Sequence, residues 1–213
     1  MNKFLYLLII IIISCHKPYE PVSVNLNVNQ VPHLKYWGFQ AKDLITIWSP
    51  RIARILDAEE YPHNIDLTLQ KSDEGIAYAD SNSITVFSHW IEKYPEDIGL
   101  IVHEAVHVVQ LYPEFEPGWV TEGIADYIRW HLYEMKPLEW FPIGEDDKGY
   151  EAAYRITGGF FLWITKFKNS DFIKILNTTM KNGEYKDAIF FQNTGKKLDI
   201  LWQEYIQYRQ ANP

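Results

Sequence analysis

The sequence predicts an α+β domain. Its strand-like segments come first, its helical segments follow, and one of those helices carries two histidines at one-turn spacing. Ile65 to Leu69 alternates apolar and polar residues strictly, which predicts a strand. Gly75–Ala79 and Ile84–Phe87 flank the turn-rich Asp80-Ser81-Asn82-Ser83, which predicts a hairpin. Before them, Ala41 to Leu56 has apolar residues at helical spacing, interrupted by Pro50, so a kink or break is expected there. From Glu96 onward the period is that of helices, with loops at Pro113–Pro117 and Pro137–Lys148.

Composition bounds the function. The chain has 213 residues, 47 % hydrophobic and 23 % charged, which suits one globular domain with a core of its own. The formal net charge is −8, from 28 acidic residues against 20 Lys and Arg. Such a surface repels phosphate backbones, so nucleic acid is not the expected partner. A single Cys excludes an internal disulfide.

That Cys, Cys15, follows the one long apolar run, Phe4 to Ile13, which Lys3 precedes. The run is too short to span a bilayer, which takes about 20 residues, and has the length of a secretory signal. Its closing Ile12-Ile13-Ser14-Cys15 resembles a bacterial lipoprotein box. Residues 1–14 are therefore expected to be a lipoprotein-type signal peptide and Cys15 the lipidated residue. Residues 15–32, with Pro18, Pro21 and Pro32, read as a tether, although the alternation of Val24, Leu26 and Val28 with Asn would also suit a short strand. The domain proper is expected over 33–210, as an exported, membrane-anchored monomer of the cell envelope.

The chemistry lies in His103-Glu104-Ala105-Val106-His107. Two His four apart on a helix share a face and can converge on one ion, and Glu104 beside them can take a proton from water. This is a zinc-hydrolase pattern, which needs a third protein ligand and an open position. Glu122 and Asp126, again four apart, supply it: Glu122 is read as the third ligand and Asp126 as the acceptor that orients a ligand His through its other ring nitrogen. Gly158-Gly159 lacks the Lys-Ser or Lys-Thr of a phosphate loop and reads as close helix packing. Trp130, Trp163 and Trp202, at apolar helical spacing, read as core.

HEAVHVVQ (103–110) with EGIADYIR (122–129) looks like the gluzincin branch of zinc metallopeptidases. With Gly75-Ile-Ala-Tyr-Ala, Ile84-Thr-Val-Phe-Ser, Tyr154-Arg-Ile-Thr and the tail from Phe172 to Tyr205, the chain more closely resembles the basic secretory protein family, metallopeptidase-like proteins of plants and bacteria. The resemblance implies a zincin-like fold, a Zn2+ cofactor held by His103, His107 and Glu122, and hydrolysis of peptides or proteins with Glu104 as base. It also implies a Tyr that stabilises the oxyanion. Tyr154 aligns best, with Tyr150 and His131 as rivals, and Ile84–Phe87 is the expected sheet edge along the cleft. The chain is acidic where the family's name is basic, so no substrate preference carries over. The competing class is a non-catalytic surface-anchored binding protein with a structural zinc; an intact Glu104 argues for the enzyme.

Overall fold

The computed structural model describes residues 20–144 and 147–212. The expected signal peptide, Cys15 and the start of the tether lie outside the described residues. No helix among the described residues is long and apolar enough to cross a membrane.

The fold is α+β: a mixed sheet of four strands, then a helical part. In chain order these are β1 (Ser23–Asn27), α1 (Lys35–Leu56), β2 (Asn64–Gln70), β3 (Ala77–Asp80), β4 (Ser83–Phe87), α2 (Ser88–Lys93), α3 (Leu100–Gln110), α4 (Gly118–Asp126), α5 (Tyr154–Phe167), α6 (Phe172–Lys181), α7 (Ala188–Thr194) and α8 (Leu198–Ala211). The strand order is β1-β2-β4-β3. β1 and β4 both lie parallel to β2, with Val24 opposite Ile65 and Leu67 opposite Ile84, while β3 runs antiparallel to β4.

Two expectations are corrected here. Residues 23–27, assigned to a tether, form β1. Val24 turns into the core, and Asn25 Nδ2 donates to Asp66 Oδ1 at 3.0 Å across the strand pair. The alternation in this segment is that of a strand with one face buried. The second correction concerns the edge. β4 is interior, flanked by β2 and β3, and Ile84, Thr85 and Val86 are all buried, so it is covered on both faces. The edge beside the cleft is β3, whose residues alternate between half-buried and exposed.

α1 runs unbroken through Pro50, without the expected break. Its buried face, including Ala41, Ile45, Ile52 and Leu56, packs on β1 and α3, and this continuous apolar contact holds the helix together across the missing amide. α3 is the central helix. Ten of its eleven residues are buried, so it is covered all round, by α1, the sheet and α4. α4 continues into a π-helical turn, Tyr127–Tyr133.

α5 crosses α4 at close range because small residues stand at the crossing. A Cβ on Gly123 would lie 2.3 Å from Thr157 Cγ2, and one on Gly158 3.0 Å from the Tyr127 amide. The far side of α5 carries the aromatic core, where Phe160 packs among Phe190, Trp202 and Tyr205. Trp163 and Trp202 are buried in it, whereas Trp130 is half-buried and lines the cleft.

This crossing fixes the sign of one substitution. Gly→Ala inside a helix ordinarily gains about 1 kcal/mol. At Gly123 the added methyl meets Thr157, which is buried and bonded to the Tyr150 carbonyl, so it cannot move aside. Gly123→Ala is expected to destabilise by about 1–3 kcal/mol. A urea midpoint lower than that of the parent, at unchanged slope, would show this; a higher one would contradict the packing argument.

Candidate metal centre

His103 and His107 stand one helical turn apart on the cleft-facing side of α3, with ring centroids 4.8 Å apart. Their Nε2 atoms are 3.1 Å from each other. From α4, Glu122 Oε2 reaches 3.1 Å from His103 Nε2 and 3.5 Å from His107 Nε2. These three donor atoms lie within 4.8 Å of one another and could hold a metal ion.

The opposite ring atoms explain why. His103 Nδ1 donates to Asp126 Oδ1 at 2.8 Å. His107 Nδ1 lies 2.8 Å from Gln110 Oε1, and the orientation of that amide is set because Gln110 Nε2 donates to the Thr121 carbonyl at 3.1 Å. An amide oxygen and a carboxylate only accept, so both Nδ1 atoms carry hydrogens. In its neutral form each ring therefore turns an Nε2 lone pair towards the carboxylate of Glu122. Three electron-rich atoms facing one point, on side chains largely shut off from water, repel one another unless a cation sits among them. The donor set, two imidazoles and a carboxylate, fits a divalent transition metal.

Without a metal, a proton takes that place. Burial alone would lower the His103 pKa, but the hydrogen bonds it donates to Asp126 and Glu122 and the charges of Asp126 and Glu104 raise it to about 10. Burial likewise pushes Glu122 up, and the hydrogen bonds from His103 and His107 overcome it, leaving the carboxyl at about 2. Glu104, 5 % exposed, goes the other way: burial raises its pKa, and the two histidines only temper the rise.

The cleft above these residues has a volume of about 1480 Å³. Its walls include the edge strand β3 and the exposed apolar side chains Ile76, Tyr78, Leu111 and Phe115. Tyr154 stands on its rim, 56 % exposed, with its ring 6.3 Å from that of His103 and within 18° of parallel. The turn that puts it there is strained: Ala153 (φ 58°, ψ −166°) and Tyr154 (φ 50°) both have positive φ. Neither rival lines the cleft. Tyr150 is buried against Trp119 and Trp202 with its hydroxyl 2.8 Å from Asp199. His131 donates through Nδ1 to the Lys136 carbonyl at 3.0 Å. Cys15 lies outside the described residues.

Two features went unread in the sequence. Gln110 is three residues after His107, on the same helical face, and that spacing was the available signal. Arg129, bonded to both Asp97 and Glu134, ties the turn after α4 to the segment that leads into α3. It joins residues far apart in the chain, which no local spacing announces.

Fold and site together define a class first: an α+β protein with a two-histidine, one-glutamate group able to hold a metal at the floor of an open cleft. The chain belongs to the BSP family, peptidase of plants and bacteria, whose family model matches residues 46–205. Neither a search of curated proteins nor one of solved structures found a match.

The geometry makes two predictions. Gln110→Ala leaves all three ligand atoms in place but releases His107 from its tautomer and orientation, and it is expected to weaken metal binding about 10–100-fold in a competition titration. Unaltered affinity would mean that Gln110 does not position the ring. With the His103 pKa at about 10 before the metal enters, that ring is protonated at pH 8, so binding one ion must expel about one proton. Calorimetric titrations in buffers of different ionisation enthalpy read this number directly, and a value near zero would contradict the protonated state.

Proposed function

We propose that the protein is a zinc-dependent peptidase of zincin-like, gluzincin type, most simply an endopeptidase. The observation that carries the reading is the convergence of His103, His107 and Glu122 beneath an open cleft, with buried Glu104 next to them, in a chain of a peptidase family. Those three residues would hold zinc, which when bound supplies Lewis acidity towards water and the scissile carbonyl. The remaining work falls to the chain.

Glu104 takes the proton from the attacking water and returns it to the leaving amine. Burial suits it to this, since a carboxyl whose pKa is raised holds a proton more readily than an exposed one. Tyr154 donates its hydroxyl to the oxyanion. Its pKa is raised, chiefly by the negative charge of Glu122 and then by burial, which keeps the hydroxyl protonated. β3 receives the peptide as an added strand along its free edge, so main-chain bonds hold the substrate extended across the site. The exposed apolar side chains along the cleft would cover the apolar side chains of that peptide. We place this chemistry on a lipid-anchored monomer of the cell envelope, exported by residues 1–14 and acylated at Cys15.

The test is hydrolysis of an unfolded protein by the purified zinc-loaded chain, beside Glu104→Gln. Cleavage by the parent alone supports the reading; cleavage by neither, with zinc bound, favours a binding protein, and equal cleavage by both places the activity elsewhere. Tyr154→Phe is expected to lower kcat about 10²–10³-fold with little change in metal content. A bound, uncleaved peptide is expected to slow amide hydrogen exchange in residues 77–80. Unchanged exchange there would count against strand addition.

A further inference from the structure

We propose that Arg155 sets substrate preference by holding a carboxylate of the bound peptide; the inference rests on the peptidase reading above. Two guanidinium groups line the cleft, and their surroundings differ. Arg129 is buried and committed to Asp97 and Glu134. Arg155 is exposed and makes no ion pair with a carboxylate among the described residues. This occurs in a chain with 28 acidic residues. A cation that no carboxylate among the described residues pairs, inside the cleft, is available to one that arrives with the substrate.

Its neighbours restrict it without using up its donors. The guanidinium carbon lies 6.0 Å from the Trp130 ring and 5.7 Å from the Trp140 ring, and the two indoles are 4.7 Å apart. A cation–π contact with indole rings uses none of a guanidinium's hydrogen-bond donors and leaves them free for a two-point grip on a carboxylate. A group whose freedom is already restricted loses less of it on binding. Arg155 also directly follows Tyr154, whose ring lies beside His103, so a carboxylate gripped there belongs to a residue close to the bond that is cut. Two sources fit the same chemistry: the free C-terminal carboxylate of a peptide, or an Asp or Glu side chain within it.

The experiment measures binding, so that it does not depend on turnover. Zinc-loaded Glu104→Gln is titrated calorimetrically with three versions of one peptide: neutral and amidated, neutral with a free C-terminus, and amidated with a single Glu placed in turn at each position. The quantity read is the affinity ratio of each carboxylate peptide to the neutral amide. The expected ratio is about 10 for one of the two sources, which identifies that source. It should fall to about 1 when Arg155→Gln is added and keep an intermediate value with Arg155→Lys, which retains charge but not the fork. Taking ratios within each variant cancels any general loss from disturbing the Trp130–Trp140 contact. A ratio near 1 with Arg155 intact overturns the inference. So does a ratio that survives Arg155→Gln, since the carboxylate then sits on the metal.

Turnover of the neutral amide by the chain with Glu104 intact separates the two readings. Cleavage without any carboxylate preference removes Arg155 from recognition and leaves the peptidase. Arg155-dependent binding without cleavage of any peptide removes the peptidase and leaves a carboxylate-binding cleft.

Discussion

Everything at the site depends on three electron-rich atoms being turned to one point inside a folded protein. Two neutral imidazoles and a carboxylate do not gather unaided; each must be held from behind. Asp126 holds His103, and Gln110 holds His107 while itself anchored on the Thr121 carbonyl. Of the five residues in this arrangement, three come from α3 and two from α4. The distance between those two helices is therefore the critical dimension of the molecule.

Packing on the outside of the pair sets that distance. α3 is covered on all sides and α4 is pressed against it by α5, which approaches closely because Gly123 and Gly158 have no side chain. α5 in turn is fixed by the aromatic cluster around Phe160, Trp202 and Tyr205. Burying His103, Glu104, Gln110 and Asp126 is unfavourable even with partners, and large apolar side chains packed elsewhere offset that cost. The helical tail beyond residue 154 thus has a purpose at the site, although most of it never touches the cleft.

The group that could hold a metal was legible because it is local. His103 and His107, and Glu122 and Asp126, are i, i+4 pairs, and a helix converts that spacing into a shared face without help from the rest of the chain. The α+β order was legible for the same reason, since period 2 and period 3.6 are properties of single segments. What stayed hidden was relational. The side of β4 on which β3 lies, and hence which strand is the edge, is decided by parallel pairing of β2 with β4, which the hairpin between β3 and β4 does not announce. Val24 and Leu26 carried a strand pattern, but its partner β2 begins 41 positions later in register, at Asn64 opposite Ser23. That Tyr154 and not Tyr150 lines the cleft follows from a positive-φ turn at Ala153 that no glycine marks.

That turn shows how structure and chemistry are coupled here. A non-glycine residue with positive φ persists only where its neighbours leave it no alternative. Before the turn, Tyr150 is buried among Trp119, Phe160 and Trp202. After it, Thr157 bonds back to the Tyr150 carbonyl and packs where Gly123 leaves room. The backbone between these two fixed points must reverse over a few residues, and the reversal throws Tyr154 and Arg155 into the cleft. The contact that brings α4 to its working distance from α3 is thus the same contact that forces the strained turn. The geometry of the His103, His107 and Glu122 group and the cleft wall that carries Tyr154 and Arg155 both depend on this one helix. A change at Thr157 or Gly123 would disturb both at once, whereas a change on the exposed edge of β3 would leave both in place.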